Sequence, residues 1–179
     1  MSYRIVTASP EDYPIIERIA RATWPDTFAG ILTSLQIDYM LDRMYRPEAL
    51  SEQVRQGHVF HLLLAAEPSD EDAYSGQASI RYRSVGYVSH QIDYLPGTTK
   101  IHKLYLLPEV QGRGYGKVLI KHVVRTARQA GQQRLRLDVN YQNKAVAFYE
   151  YLGFIKIDRY DTDIGNGYLM EDWRMELPL

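Results

Sequence analysis

The chain has 179 residues, 21 basic against 22 acidic side chains for a formal net charge of −1, and is 45% hydrophobic and 24% charged. These values suit one globular domain with a substantial core, and an even charge balance gives no bulk electrostatic reason for a nucleic-acid partner. With no cysteine, disulfides, covalent thiol catalysis and thiolate metal sites are excluded. No window reaches the roughly 18 apolar residues of a membrane span. The amino-terminal MSYRIVTASPEDYP lacks the apolar core of a signal peptide, so no membrane association and a cytoplasmic location are expected.

Tyr3 to Thr7 reads as a first strand. Ser9-Pro10-Glu11-Asp12 starts a helix, with Ser9 as cap, Pro10 in the first turn and Asp12 as capping-box acid. Its core face is Ile15, Ile16, Ile19 and Ala20, and it should fray near Trp24-Pro25, because proline disfavours helical geometry in the residue before it. Thr33-x-x-Gln36 opens a second helix carrying Ile37, Met40, Leu41 and Met44, and a third runs from Pro47 to Gln56 and stops at Gly57. Between the first two, the loop Trp24–Leu32 holds two large aromatics. Trp24 and Phe28 either pin it to the core or line a substrate cleft.

His58 to Ala66 is a strand. PSDED marks an exposed acidic turn, and Gln77 to Arg83 alternates weakly, as an edge or hairpin strand would. Val85 to Tyr94 is a strand, followed by a Pro-Gly turn and by a further strand, Ile101 to Leu107. The next helix, from about Gly114 to Ala130, places Leu119, Ile120, Val123, Val124 and Ala127 on one side. Leu135, Leu137 and Val139 alternate in a strand, Asn143 can cap a short helix from Lys144 to Leu152, and Phe154–Tyr160 and Tyr168–Leu177 close the chain. Hairpins mixed with a β-α-β crossover imply a mixed sheet flanked by helices. An exposed edge at Tyr168–Leu177 could pair two copies into a homodimer.

Leu104 to Lys117, LYLLPEVQGRGYGK, concentrates the chemistry. A strand, a turn with Gly112, Gly114 and Gly116, then a helix is a common way to aim backbone N–H groups at a phosphate. The Walker loop does not fit, because Gln111 and Val118 stand where its first glycine and its hydroxyl belong. The dinucleotide fingerprint fails at Lys117. A plain glycine-rich turn remains the alternative.

Gln111 to Gly116, QGRGYG, closely resembles the pyrophosphate-binding Q/R-x-x-G-x-G/A signature of the GCN5-related N-acetyltransferases (GNAT). Asn140, Asn143, Ala147, Phe148-Tyr149 and Leu152-Gly153-Phe154 resemble the family's N-x-x-N…A-x-x-F-Y-x-x-x-G-F pattern, with either Ala145 or Ala147 as its alanine. The similarity covers about Ile101 to Tyr160, and element order extends it to one domain over residues 1–179. DIGNGYLMEDWRMEL and TWPDTFAGILT also look like a bacterial subgroup of uncharacterised or polyamine-directed members. The resemblance implies an α/β fold, with a mixed, mostly antiparallel sheet, flanking helices and splayed central strands. It implies acetyl-CoA as co-substrate, no metal, and transfer to a primary amine through a ternary complex.

Carried over residue by residue, it places backbone amides from about Val110 to Lys117 around the coenzyme A pyrophosphate. Gln111, Gly112, Arg113, Gly114, Tyr115, Gly116 and Lys117 form that cradle, with Arg113 and Lys117 adding charge or simply facing solvent. Leu104, Tyr105 and Leu106 would offer backbone groups to the pantetheine arm and to the acetyl carbonyl, and Asn140 and Asn143 would bond the pantetheine region. Tyr149 takes the general-acid position, unless it is an ordinary core residue. His102, at the start of the central strand, is the candidate base, and His90 a neighbour able to serve the acceptor directly or through water. Acetylation of a peptide or protein amine, and a non-catalytic acyl-CoA sensor, stay open beside a small cationic amine.

Overall fold

The computed structural model describes residues 2–68 and 80–179. Strand β1 (Tyr3–Thr7) leads through a single 3-10 turn at Pro10–Asp12 into helix α1 (Tyr13–Thr27), followed by α2 (Ser34–Tyr45) and α3 (Pro47–Arg55). Side chains fix the helix starts: the Asp12 carboxylate accepts the Ser9 amide at 2.9 Å, and Thr33 Oγ1 accepts the Gln36 amide at 3.2 Å. Apolar residues at helical spacing then bury one face of each helix. Ile16, Ile19 and Ala20 of α1 meet Ile37, Met40 and Leu41 of α2 over Phe60, Leu62 and Tyr87 of the sheet.

The fraying expected at Trp24-Pro25 does not occur, because α1 continues through Pro25 to Thr27 and Trp24 is helical rather than part of a loop. Pro25 removes one amide, but the last turn closes through the Phe28 N–H donating to the Trp24 carbonyl at 2.9 Å. The Trp24 and Phe28 rings then pack with centroids 4.7 Å apart, which holds the turn from the inside.

Strands β2 (Val59–Pro68), β3 (Ile80–Leu95) and β4 (Thr98–Leu106) are followed by α4 (Tyr115–Gln129), β5 (Arg134–Asn140), α5 (Ala145–Tyr151), β6 (Ile155–Gly165) and β7 (Tyr168–Pro178). They form a seven-stranded sheet in the order β1-β2-β3-β4-β5-β7-β6. Only β4 and β5 run parallel, joined by the α4 crossover; the other pairs are antiparallel. Ile80–Arg83 takes the hairpin alternative, pairing with Ala65–Pro68 as the first part of β3. Gln77–Ser79 and the acidic residues after Pro68 lie outside the described residues.

The placement of Tyr168–Leu177 at an exposed edge is corrected. β7 lies inside the sheet between β5 and β6, and β6 forms that edge. Met175 and Asp172 are buried along β7, whereas Ile155 and Ile157 of β6 stand exposed.

Helices α1–α3 cover one face of the sheet. On the other, Leu119, Ile120, Val123 and Ala127 of α4, with Tyr149 of α5, pack on Leu135, Leu137, Val139 and Met175. No helix among the described residues is long and apolar enough to cross a membrane.

Candidate active site

The parallel pair at the centre of the sheet is short. Thr98–Ile101 of β4 match Arg134–Leu137 of β5, and no pairing continues beyond them, although β4 runs on to Leu106 and β5 to Asn140. The two strands therefore part, and the backbone of His102–Leu106 that faces β5 is left without a ladder partner. Unpaired backbone groups in a cleft must bond something else, which makes this edge a ready strip of donors and acceptors.

A cleft of about 1220 Å³ opens at the gap. Leu104, Tyr105 and Leu106 line one side, Asp138, Val139, Asn140 and Asn143 the other, with Tyr149 between them. The glycine turn forms its mouth: Gln111, Gly112, Gly114, Tyr115, Gly116 and Lys117 all line it, whereas Arg113 is exposed and lies outside the lining.

The three glycines serve two needs. Gly112 and Gly114 have φ of 75° and 81°, and a Cβ at either would meet nothing within 4 Å, so they are required by backbone shape. Gly116 has ordinary helical geometry, but a Cβ there would lie 3.0 Å from Phe148 Cζ, so its absence lets α4 and α5 approach. Gln111 Nε2 donates to the Leu106 carbonyl at 3.1 Å and ties the turn to the end of β4. The first turn of α4, with its free amides and positive dipole end, opens directly on this bare backbone. An anionic pyrophosphate fits such a cradle, and the gap behind it admits a long extended arm.

Asn140 and Asn143 organise the far wall. Asn140 Oδ1 accepts the Gln142 amide at 3.0 Å, and Asn143 Oδ1 accepts the Ala145 amide at 2.9 Å, starting α5. That short helix holds Tyr149 buried, at 8% exposure, against Phe148 and Phe154. Burial pushes the Tyr149 phenol up to about 12, so at neutral pH it keeps its proton and has one to donate.

The histidines divide. A bulge where the β3–β4 register steps from Ser89↔Lys103 to His90↔Ile101 turns both His102 and Lys103 toward α3, while Ile101 and Leu104 face α4. His102 lines the cleft, stacks on His58 at 3.7 Å and shares a 3.1 Å hydrogen bond between its Nε2 and Gln91 Oε1. Burial first, then the charges of His58 and the nearby lysines, drive it down to about 2. Burial thus disfavours the protonated imidazole, which works against His102 as a proton acceptor.

His90 is 1% exposed and does not line the cleft. It stacks on His61 at 5.2 Å, and His61 meets His122 of α4 edge-on at 4.4 Å, so it sits on the α4 face of the sheet. Trp24 and Phe28 do line the cleft, yet Trp24 is only 1% exposed. Both readings of that pair hold at once: it is core packing whose inner side forms a wall.

Sequence reasoning missed the polar floor. Lys100 Nζ pairs with Asp138 Oδ2 at 2.6 Å, and Asp172 of β7 lies opposite Asn140 in register. All four line the cleft. The available signal was phase: Asp138 shares the face of Asn140, and Asp172 that of Met170, while Val139 and Trp173 point the other way. Lys103 was missed too. It lines the cleft near the Tyr45 and Phe60 rings, donates to Gln53 Oε1 at 2.6 Å, and is lowered to about 8 by burial. Among the described residues, no group of His, Asp and Glu has the geometry to hold a metal ion.

A split parallel pair with a glycine turn at its mouth defines an acyl-coenzyme A binding fold, and residues 34–154 match the model of the acetyltransferase (GNAT) family. The chain belongs to that family, whose members transfer an acetyl group from acetyl-CoA to an amine. Among individual proteins, it is 27% identical over 172 residues to a spermidine N(1)-acetyltransferase of Thermoplasma acidophilum, covering 96% of this chain and 97% of that one. The crystal structure of a PaiA N-acetyltransferase from Thermoplasma acidophilum in complex with coenzyme A superposes with a TM-score of 0.76 at 26% identity, over the whole of both chains. The ribosomal-protein-S18-alanine N-acetyltransferase of Escherichia coli shares the fold, with a TM-score of 0.66 at 17% identity over 99% of this chain and 94% of that one.

Proposed function

We propose that the protein acetylates a small, cationic primary amine within a ternary complex. The observation that carries this reading is the lining of the cleft beyond the β4–β5 gap. Trp24, Phe28, Met40 and Tyr45 offer apolar and aromatic walls to an alkyl stem, and Asp138 and Asp172 put carboxylates at its base. A cation over such rings gains roughly 0.5–2 kcal/mol when desolvated. The likeness to a protein named for spermidine acetylation supports the same class of acceptor.

The bound co-substrate supplies a thioester carbonyl, and the chain's own groups do the rest. The glycine turn and the α4 amides orient the anionic end. The free backbone of β4 offers an N–H where negative charge develops on the carbonyl oxygen, and such a preorganised donor contributes about 10²–10³-fold. Tyr149, kept protonated by burial, donates to the departing sulfur. The test is a thiol-release assay with acetyl-CoA against a panel of aliphatic diamines, polyamines, amino acids, amino sugars and peptide amines. Turnover is expected with the small cationic amines. Turnover confined to peptides, or binding of acetyl-CoA without turnover of any amine, overturns the reading.

A further inference from the structure

Asp172 is an anomaly for a strand inside a sheet. It is 9% exposed, its Oδ1 has no hydrogen-bond partner, and among the described residues no cation lies within ion-pair distance of it. Buried carboxylates are ordinarily paired, because leaving one unmatched forfeits its hydration without return. The cations nearby are committed elsewhere. Lys100 is bound to Asp138 at 2.6 Å, and Arg174 to Asp158 at 2.8 Å. Asp172 is nonetheless part of the cleft wall, in register with Asn140 on β5 and Tyr160 on β6. Tyr105 on β4 and Tyr149 line the same cleft, and burial first, with the Asp172 charge a lesser cause, holds the Tyr105 phenol protonated. The unpaired carboxylate therefore shares one space with the β4 edge and with the phenol of α5.

We propose that Asp172 is a catalytic residue that binds the acceptor's ammonium group and takes its first proton. This rests on the amine-acetylating reading above and assigns the base that the histidines do not supply. The ammonium nitrogen carries three protons and the amide product one. One proton passes to the Asp172 carboxylate and is released to solvent after turnover. The neutral nitrogen then forms its bond to the carbonyl carbon as the carbon–sulfur bond breaks. The nitrogen's second proton replaces the one Tyr149 gives to sulfur, so the thiol leaves neutral and both side chains return to their starting states.

The surroundings suit the task. Burial first, then the charges of Asp138 on β5 and Asp161 on β6, raise Asp172 to about 6, with Lys100 of β4 opposing. Tyr160 lies opposite Asp172 in register and Tyr105 lines the same cleft, both phenols held neutral chiefly by burial, while Arg174, two residues on in β7, is paired with Asp158. A carboxylate poised there is ionised at neutral pH yet basic enough to accept a proton from a bound amine.

The experiment is Asp172→Asn, which keeps the shape and removes the charge. The wild type should show kcat/KM for the amine rising with pH to a plateau above about 6. The variant should lose about 10²–10⁴-fold at neutral pH. Its rate should then climb tenfold per pH unit toward the amine's own pKa, because free amine must come from solution. Coenzyme A affinity by calorimetry should stay within twofold, and the melting temperature should equal or exceed that of wild type, since an unmatched buried charge has been removed. A variant with wild-type kcat/KM and an unchanged acid limb overturns the assignment while leaving the amine reading intact. A loss of coenzyme A affinity or melting temperature equal to the loss of activity also overturns it, making Asp172 structural. Absence of turnover by the wild type with every amine defeats the underlying reading instead.

Discussion

Gly114→Ala isolates what the glycine turn does. The residue has φ 81° and ψ 0°, and an added Cβ would meet nothing within 4 Å, so the methyl causes no clash. What it costs is left-handed backbone strain, about 1–2 kcal/mol for a non-glycine residue. The turn is exposed, so the free protein can relieve the strain by leaving that geometry. The amides must be returned to it when the pyrophosphate binds. The strain then appears in affinity, as a weakening of about 5–30-fold, and hardly at all in folding stability. Gly131→Ala is the matched control. Gly131 has φ 72° with equally open space, but it follows the far end of α4, outside the cleft, where the Gly131 and Gln132 amides donate to the Arg128 and Ala127 carbonyls and hold the turn in that geometry. Isothermal titration with coenzyme A, beside thermal melts, separates the two. The expected pattern is lost affinity with an unchanged melting point at 114, and unchanged affinity with a lowered melting point at 131. Equal affinity of wild type and Gly114→Ala would show that the turn's shape does not bind the ligand.

Tyr149→Phe keeps the buried ring and removes the donor, so turnover should fall at least tenfold, with coenzyme A affinity and melting temperature close to wild type; turnover within twofold under chemistry-limited conditions would make the tyrosine structural. Acid should destabilise the fold through the histidines on the α4 face. His61 and His90 are lowered to about 4, chiefly by burial, with the charge of His122 adding to each, and an unfolded histidine titrates near 6.5. The unfolded chain binds more protons between those values, so stability is full above about 6.5 and falls as pH drops toward 4. Asp172, raised to about 6, acts in the opposite sense and offsets part of the loss. Melting temperature measured across that range should fall with acid, and replacing His61 and His90 by glutamine should flatten the slope; an unchanged slope would refute the assignment.

Sequence alone determined what depends on a few neighbouring residues. Ser9 with Asp12, Thr33 with Gln36, and Asn143 at the start of α5 set helix boundaries through local hydrogen bonds. The glycines at 112, 114 and 116 declared a tight turn before α4, and the alternation of Leu135, Leu137 and Val139 declared the strand behind it. Trp24-Pro25 misled because a local proline preference was outweighed by the packing of Trp24 on Phe28, Tyr45 and Tyr105. Tertiary structure alone decided the rest. It placed β7 between β5 and β6, parted β4 from β5 after Ile101 and Leu137, and put His90 on the α4 face against His61, outside the cleft lining. Ionisation belongs to the same class. His102 and Asp172 owe their states to burial by strands and helices distant in sequence, and desolvation is a property of the assembled surroundings. Nothing adjacent to Asp172 in the chain distinguishes it from Asp158 or Asp161. Only the fold makes it a buried carboxylate with no ion-pair partner among the described residues, because only the fold spends Lys100 and Arg174 on other acids.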